Sequence, residues 1–175
     1  MTLPDLMQTI TIAAPITTVW AEITKLGGRQ RAMMDSILRT TLEAGAPLYY
    51  TSEDGKRVFI VGRVVEVAPP HRLVHTQQLT MRDDPPTLVT WELAEIEGGT
   101  RVTLRHTGFP EGTRKLESVD KTWATILREL RRLLETGDIG PGLKAQYAVW
   151  RLFMWAMPAK TRAENVTVPD LPEST

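Results

Sequence analysis

The sequence predicts an α+β fold: a curved antiparallel sheet of six to seven strands wrapped around one long C-terminal helix, with an extra apolar helix after it. Three observations lead there. Residues 36–107 read as successive short strands punctuated by turn residues. From Ser118 to Thr136 the apolar period changes from two to between three and four. A single long helix after a run of strands must lie on the sheet, because nothing else can cover either apolar surface.

The elements follow in order. Gln8–Ile12 alternates polar and apolar residues, the mark of a half-buried strand. Ala14-Pro15 ends it, and Val19, Trp20 and Ile23 then fall at helical spacing until Gly27-Gly28. Residues 29–35 read as a short helix or turn that offers Met33 and Met34 for packing. Strands are expected over 36–42, 48–52, 57–67, 73–81, 88–95 and 101–107. Asp54-Gly55 and Gly98-Gly99 mark two of the hairpins. In the long helix Trp123, Ile126, Leu127, Leu130, Leu133 and Leu134 form one stripe, with Arg128, Glu129, Arg131, Arg132 and Glu135 opposite. Gly137 can cap its C-terminus. Residues 143–157 form a second helix, apolar nearly all round and ended by Pro158. Residues 159–175 are polar and contain proline, and read as a loose tail.

A chain of 175 residues suits one domain, expected over 1–138, plus an extension over 139–175. Twenty-one basic residues balance 21 acidic ones, so no global field draws the chain to nucleic acid. The absence of cysteine excludes disulfides, thiol catalysis and thiolate metal sites. It also suits a cytoplasmic location, as does an N-terminus without the pattern of a signal peptide. His71, His75 and His106 lack the compact spacing of a zinc site, and no phosphate-binding loop follows a strand, so no metal or cofactor is expected.

Several stretches resemble a known family. Ile10, Ile12, Ala14-Pro15 and Val19-Trp20 resemble its opening strand and helix. Gly62-x-Val64-x-Glu66-Val67-x-Pro69-Pro70-x-Arg72-Leu73-Val74 resembles its middle strands and is the most specific stretch. Gly99–Leu104 and Trp123-x-x-Ile126-Leu127-x-x-Leu130 resemble its last hairpin and long helix. The family is the SRPBCC, or START-like, helix-grip superfamily, in its branch of activators of heat-shock-protein-90 ATPase homologues. The resemblance covers residues 7–137. It departs at Gln77, where the family often has an aromatic residue, and at Thr122, where it usually has glycine. It implies a helix-grip fold around a mainly apolar cavity. Family members bind lipids or polyketides, cyclise them, sequester toxins or act as co-chaperones.

Strand alternation selects the residues that face the helix. These are Leu73, His75, Gln77, Leu79 and Met81; Val89, Trp91 and Leu93; and Val102, Leu104 and His106. The 57–67 strand is apolar in both registers, and Phe59 and Val61 are taken as inward. The candidate ligand-binding set is therefore Phe59, Val61, His75, Gln77, Trp91, Leu93, Leu104, His106, Trp123, Leu127 and Leu130. His75, Gln77 and His106 are the polar groups that could orient a ligand on this face. Three readings stay open: a binding protein for a small hydrophobic molecule, a cyclase or hydrolase working through a cavity histidine, and a co-chaperone-like interaction module. No nucleophile or carboxylate pair singles out the enzyme. Tyr147, Trp150, Phe153, Met154 and Met157 are expected to form a lid or an interface between two copies of the chain. Lys144, Arg151, Lys160 and Arg162 are sparse and support a membrane surface only weakly.

Overall fold

A computed structural model describes residues 5–110 and 116–170. The sheet begins with β1 (Leu6–Ile12), and helix α1 (Ile16–Ile23) follows. Then come β2 (Arg29–Gln30), β3 (Ser36–Arg39), β4 (Pro47–Thr51), β5 (Val58–Ala68), β6 (Arg72–Leu79), β7 (Thr87–Ile96) and β8 (Gly99–Thr107). Helices α2 (Leu116–Thr136) and α3 (Pro141–Phe153) complete the order, and three short 3-10 turns lie between Met154 and Asn165. All eight strands join one antiparallel sheet in the order β1-β8-β7-β6-β5-β4-β3-β2. From β2 to β8 each strand pairs with its neighbour in sequence, and β1 pairs with the last. The result is a curled half-barrel, gripping α2.

The core lies between the concave face and the helices. Ile16, Val19 and Ile23 of α1 enter it, as do Trp123, Ile126, Leu127 and Leu130 of α2. The rings of Trp91 and Trp123 meet edge to face, 5.8 Å apart, joining β7 to α2. Polar bonds fix α2 to β1: the Gln8 amide donates to Asp120 Oδ1 at 2.7 Å, and Ala13 N–H donates to Glu135 Oε1 at 2.9 Å. Gly137, at φ 80°, donates from its N–H to the Leu133 carbonyl and ends the helix in the left-handed conformation glycine favours. Gly62 is required for another reason. A Cβ there would collide with the Thr76 carbonyl of the adjacent strand.

The structure corrects four expectations. Residues 29–35 supply an eighth strand, two residues long, and a turn in which Met34 and Asp35 both take positive φ. Glu129 is buried, not on the solvent side of α2. The chain folds back after α2, and Gly140 N–H donates to Glu129 Oε2 at 2.6 Å at the start of α3. Met81 lies beyond the end of β6 and is exposed. The described part of the tail, 159–170, is docked on the body. Ala163 N–H donates to the Lys56 carbonyl, and Arg63 Nε donates to the Pro169 carbonyl at 2.9 Å.

Candidate functional site

Between the concave face and α2 lies a cavity of about 170 Å³. The sheet supplies Ile60, Gln77, Leu79, Thr87 and His106; α2 supplies Val119, Trp123 and Ile126; the β2–β3 turn supplies Met33 and Met34. Phe109, just beyond β8, closes another side and lies 4.4 Å from the His106 ring. The wall is mainly apolar with a few polar groups, the composition of a small-molecule site.

His106 is the centre of a polar chain. Trp123 Nε1–H donates to His106 Nδ1 at 2.9 Å. Thr87 Oγ1 lies 2.7 Å from His106 Nε2 and donates its own proton to the Gln77 carbonyl at 3.0 Å. A hydroxyl has one proton, so Thr87 accepts from Nε2–H. The imidazole is thereby fixed as the neutral Nε2–H tautomer, with both nitrogens satisfied. Burial first, and the neighbouring His75 second, push its pKa down to about 4. Protonation would set a second N–H against the indole N–H. In this state His106 holds no free lone pair for a substrate proton.

His75 is fully buried, between Tyr50 and Val89 on the same face. Its Nδ1 contacts the Thr76 carbonyl at 3.0 Å, so Nδ1 carries the proton. Among the described residues Nε2 has no partner. Burial lowers its pKa to about 4 as well. Gln77, in contrast, lines the cavity, and its carboxamide makes no hydrogen bond among the described residues, leaving donors and an acceptor for a guest.

The residues selected from sequence fall into five places. Gln77, His106 and Trp123 line the cavity together. Trp91 and Leu130 line a void of only about 10 Å³ next to α1. His75, Leu93, Leu104 and Leu127 are buried in the packed core and line none of these spaces. Phe59 lies under α3, and Val61 is buried but outside the core cluster. The last result comes from a bulge in the β4–β5 pairing. Tyr50 faces Ile60 and Thr51 faces Val58, so Phe59 is the extra residue. Phe59 and Ile60 both join the core, and the alternation then resumes with Val64 inward and Val61 on the other face. Sequence reading missed Ile60, Thr87, Phe109 and Val119 as cavity residues. Val119 was available from the helical period, lying four residues before Trp123; Thr87 carried no local signal.

The second helix divides its apolar residues. Tyr147 is buried, Trp150 and Met154 are half-buried, and the Trp150 ring lies 4.9 Å from Phe59. Met157 is half-buried too. Phe153 is 60% exposed and Trp155 is 78% exposed, so within one chain Phe153 lies on the outer side of the helix. A groove of about 430 Å³ runs beneath α3, between Trp150 and Met154 on one side and Phe59 and Met34 on the other. Arg29, Asp35, Glu53, Asp54 and Arg151 stand at its edge; Asp35 Oδ2 accepts from Arg151 Nη1 at 2.8 Å, and Arg29 is paired with Glu53.

A model of the family described as activator of Hsp90 ATPase homolog 1-like protein matches residues 13–135. The chain belongs to this family. The match ends before α3. Comparison of the sequence with curated proteins gave no significant match. Solved structures are similar in fold. CalU16 from Micromonospora echinospora is 21% identical with a TM-score of 0.62, covering 87% of this chain and 86% of that one. DynU16, from the dynemicin biosynthetic locus, is 22% identical with a TM-score of 0.64; the match covers 77% of this chain but only 48% of DynU16. The Aha1 dimer protein from Colwellia psychrerythraea is 18% identical with a TM-score of 0.61, covering 77% and 98%. Among the described residues no helix is long and apolar enough to cross a membrane.

Proposed function

We propose that the chain binds a small, mainly apolar molecule in the cavity between the sheet and α2, and that Gln77 orients it. The observation that carries this reading is the unfilled space itself. About 170 Å³ stays open beside Trp123, against about 10 Å³ beside Trp91 and Leu130. An apolar cavity of about 150 Å³ suffices for benzene, so the space suits a ring-sized body. The free Gln77 carboxamide supplies hydrogen bonds to one carbonyl or hydroxyl on that body. The likeness in fold to DynU16, a protein from the dynemicin biosynthetic locus, is in keeping with a small-molecule guest. The neutral, fully bonded His106 favours binding over acid–base chemistry at the same wall.

Calorimetry with 1-naphthol tests the reading. Saturable one-to-one binding is expected. Val119→Trp, which fills the cavity, should weaken it by at least about tenfold, and Gln77→Leu by about three- to tenfold. Absence of saturable binding, or equal affinity in Val119→Trp, would overturn it.

A further inference from the structure

Two spaces meet at Met34. This side chain lines both the cavity behind α2 and the groove beneath α3. The β5 bulge makes the same division: Ile60 lines the cavity, and the adjacent Phe59 lines the groove. Met34 also has an uncommon backbone. At φ 57° a methionine lies in the left-handed region, and Asp35 follows it at φ 51°. Such outliers persist where the surrounding structure holds them, and they cluster at ligand clamps. Here a holding contact comes from α3, whose Arg151 pairs with Asp35 while Tyr147 lines the groove beside Met34. The turn between the two spaces is therefore fixed by the helix that roofs the second.

We propose that the groove beneath α3 is a second ligand chamber, continuous with the first past the flexible side chain of Met34. The proposal rests on the binding function assigned to the first cavity. The guest it points to is an elongated amphipathic molecule. Its ring-sized apolar body occupies the cavity, and its other end runs between Phe59 and Trp150 to a polar terminus. That terminus carries acceptor oxygens, a carboxylate above all. Arg151 stands at the groove edge and, among the described residues, donates only through Nη1 to Asp35, so most of its five N–H donors remain for an oxygen ligand. Methionine suits the junction, because an unbranched thioether moves aside at little cost. Tyr147, Trp150, Arg151 and Met154 all lie beyond residue 135, where the family match ends, so this chamber is built by the extension.

The test compares two probes on the full chain. 1-Naphthol reports the first cavity alone, and 11-(dansylamino)undecanoic acid is long enough to report both. Arg151→Gln is expected to weaken the dansyl acid by at least about fivefold and to leave 1-naphthol within about twofold. Met34→Gly, which suits the positive φ and removes the side chain at the junction, should strengthen the dansyl acid by about fivefold relative to 1-naphthol, which itself loses a wall contact. Circular dichroism checks that each variant is folded, and Arg151→Gln, a surface change, keeps the test decisive if Met34→Gly is not. Equal responses of the two probes to Arg151→Gln, or no response of the dansyl acid, would overturn the second chamber while leaving the first intact. Failure of 1-naphthol to bind the unaltered chain would remove both.

Discussion

The indole of Trp123 decides the protonation state of His106. By donating to Nδ1 it leaves the single ring proton on Nε2, where Thr87 takes it. His75 reaches the same neutral state by a different route, desolvation with one bond to the Thr76 carbonyl. Both folded-state pKa values lie near 4, below the ordinary value of about 6.5. The sign of the pH effect follows. The unfolded chain takes up protons below about pH 6.5 that the folded chain refuses until about pH 4. Stability is therefore full above the upper value and falls through the window, by on the order of 3 kcal/mol per histidine across its whole width. Urea denaturation at pH 7 and pH 5 should show the fall, and His75→Leu should remove about half of it. A profile flat between those two pH values would mean that the imidazoles are solvated. Trp123 also fills core space against Trp91. Trp123→Ala should destabilise the fold by about 3–5 kcal/mol in equilibrium denaturation; a change under about 0.5 kcal/mol would place the indole at the surface.

Helix α3 is the element whose orientation carries the most consequence. Its existence was readable, because residues 143–157 are apolar and bounded by Gly140-Pro141 and Pro158. The structure starts it two residues earlier and turns its last part into a 3-10 segment. Which side it buries was not readable. A helix apolar on every side gives no polarity contrast, so the buried face is set by partners distant in sequence: Phe59, Met34, Asp35 and Glu129. The same ambiguity affected β5, where both registers were apolar and the bulge decided between them. By contrast, β7 and β8 carry most of their polar residues on alternate positions, and Val89, Trp91, Leu93, Val102 and Leu104 face inward as the alternation required. The orientation of α3 gives a paired prediction. Trp150→Ala removes the ring packed on Phe59 and should cost about 1–3 kcal/mol. Phe153→Ala alters a mainly exposed side chain and should stay within about 0.5 kcal/mol. Comparable losses in chemical denaturation would mean that Phe153 is covered by protein.

At the scale of the whole molecule, the chain after α3 works as a fastening across the sheet. Its composition suggested a loose tail, because proline and polar residues leave little apolar surface to bury. The structure attaches it through backbone groups, which composition does not reveal. Arg57, near the start of β5, donates to the carbonyls of Trp155, Met157 and Pro158 at 3.2–3.3 Å and to Thr161 Oγ1 at 3.0 Å. Thr161 is fully buried there, and Ala163 N–H donates to the Lys56 carbonyl beside it. Hydrogen bonds to a charged donor are worth about 1.5–3 kcal/mol each when well formed, and partial exposure of this guanidinium reduces that figure. Four of them on one side chain still make Arg57 the main tie between this segment and the sheet. Loss of the tie should release the segment locally without unfolding the half-barrel, because the core residues do not depend on it. Trypsin gives a direct readout, since Lys160 and Arg162 are cleavage sites inside the fastened segment. When opening is fast, cleavage follows the population of the open form, and about 1.4 kcal/mol corresponds to a tenfold change. Arg57→Ala should therefore accelerate cleavage after Lys160 and Arg162 by at least about tenfold, with the thermal midpoint of the body lowered by only a few degrees. Unchanged cleavage at both sites would show that the segment is held by its own turns and not by Arg57.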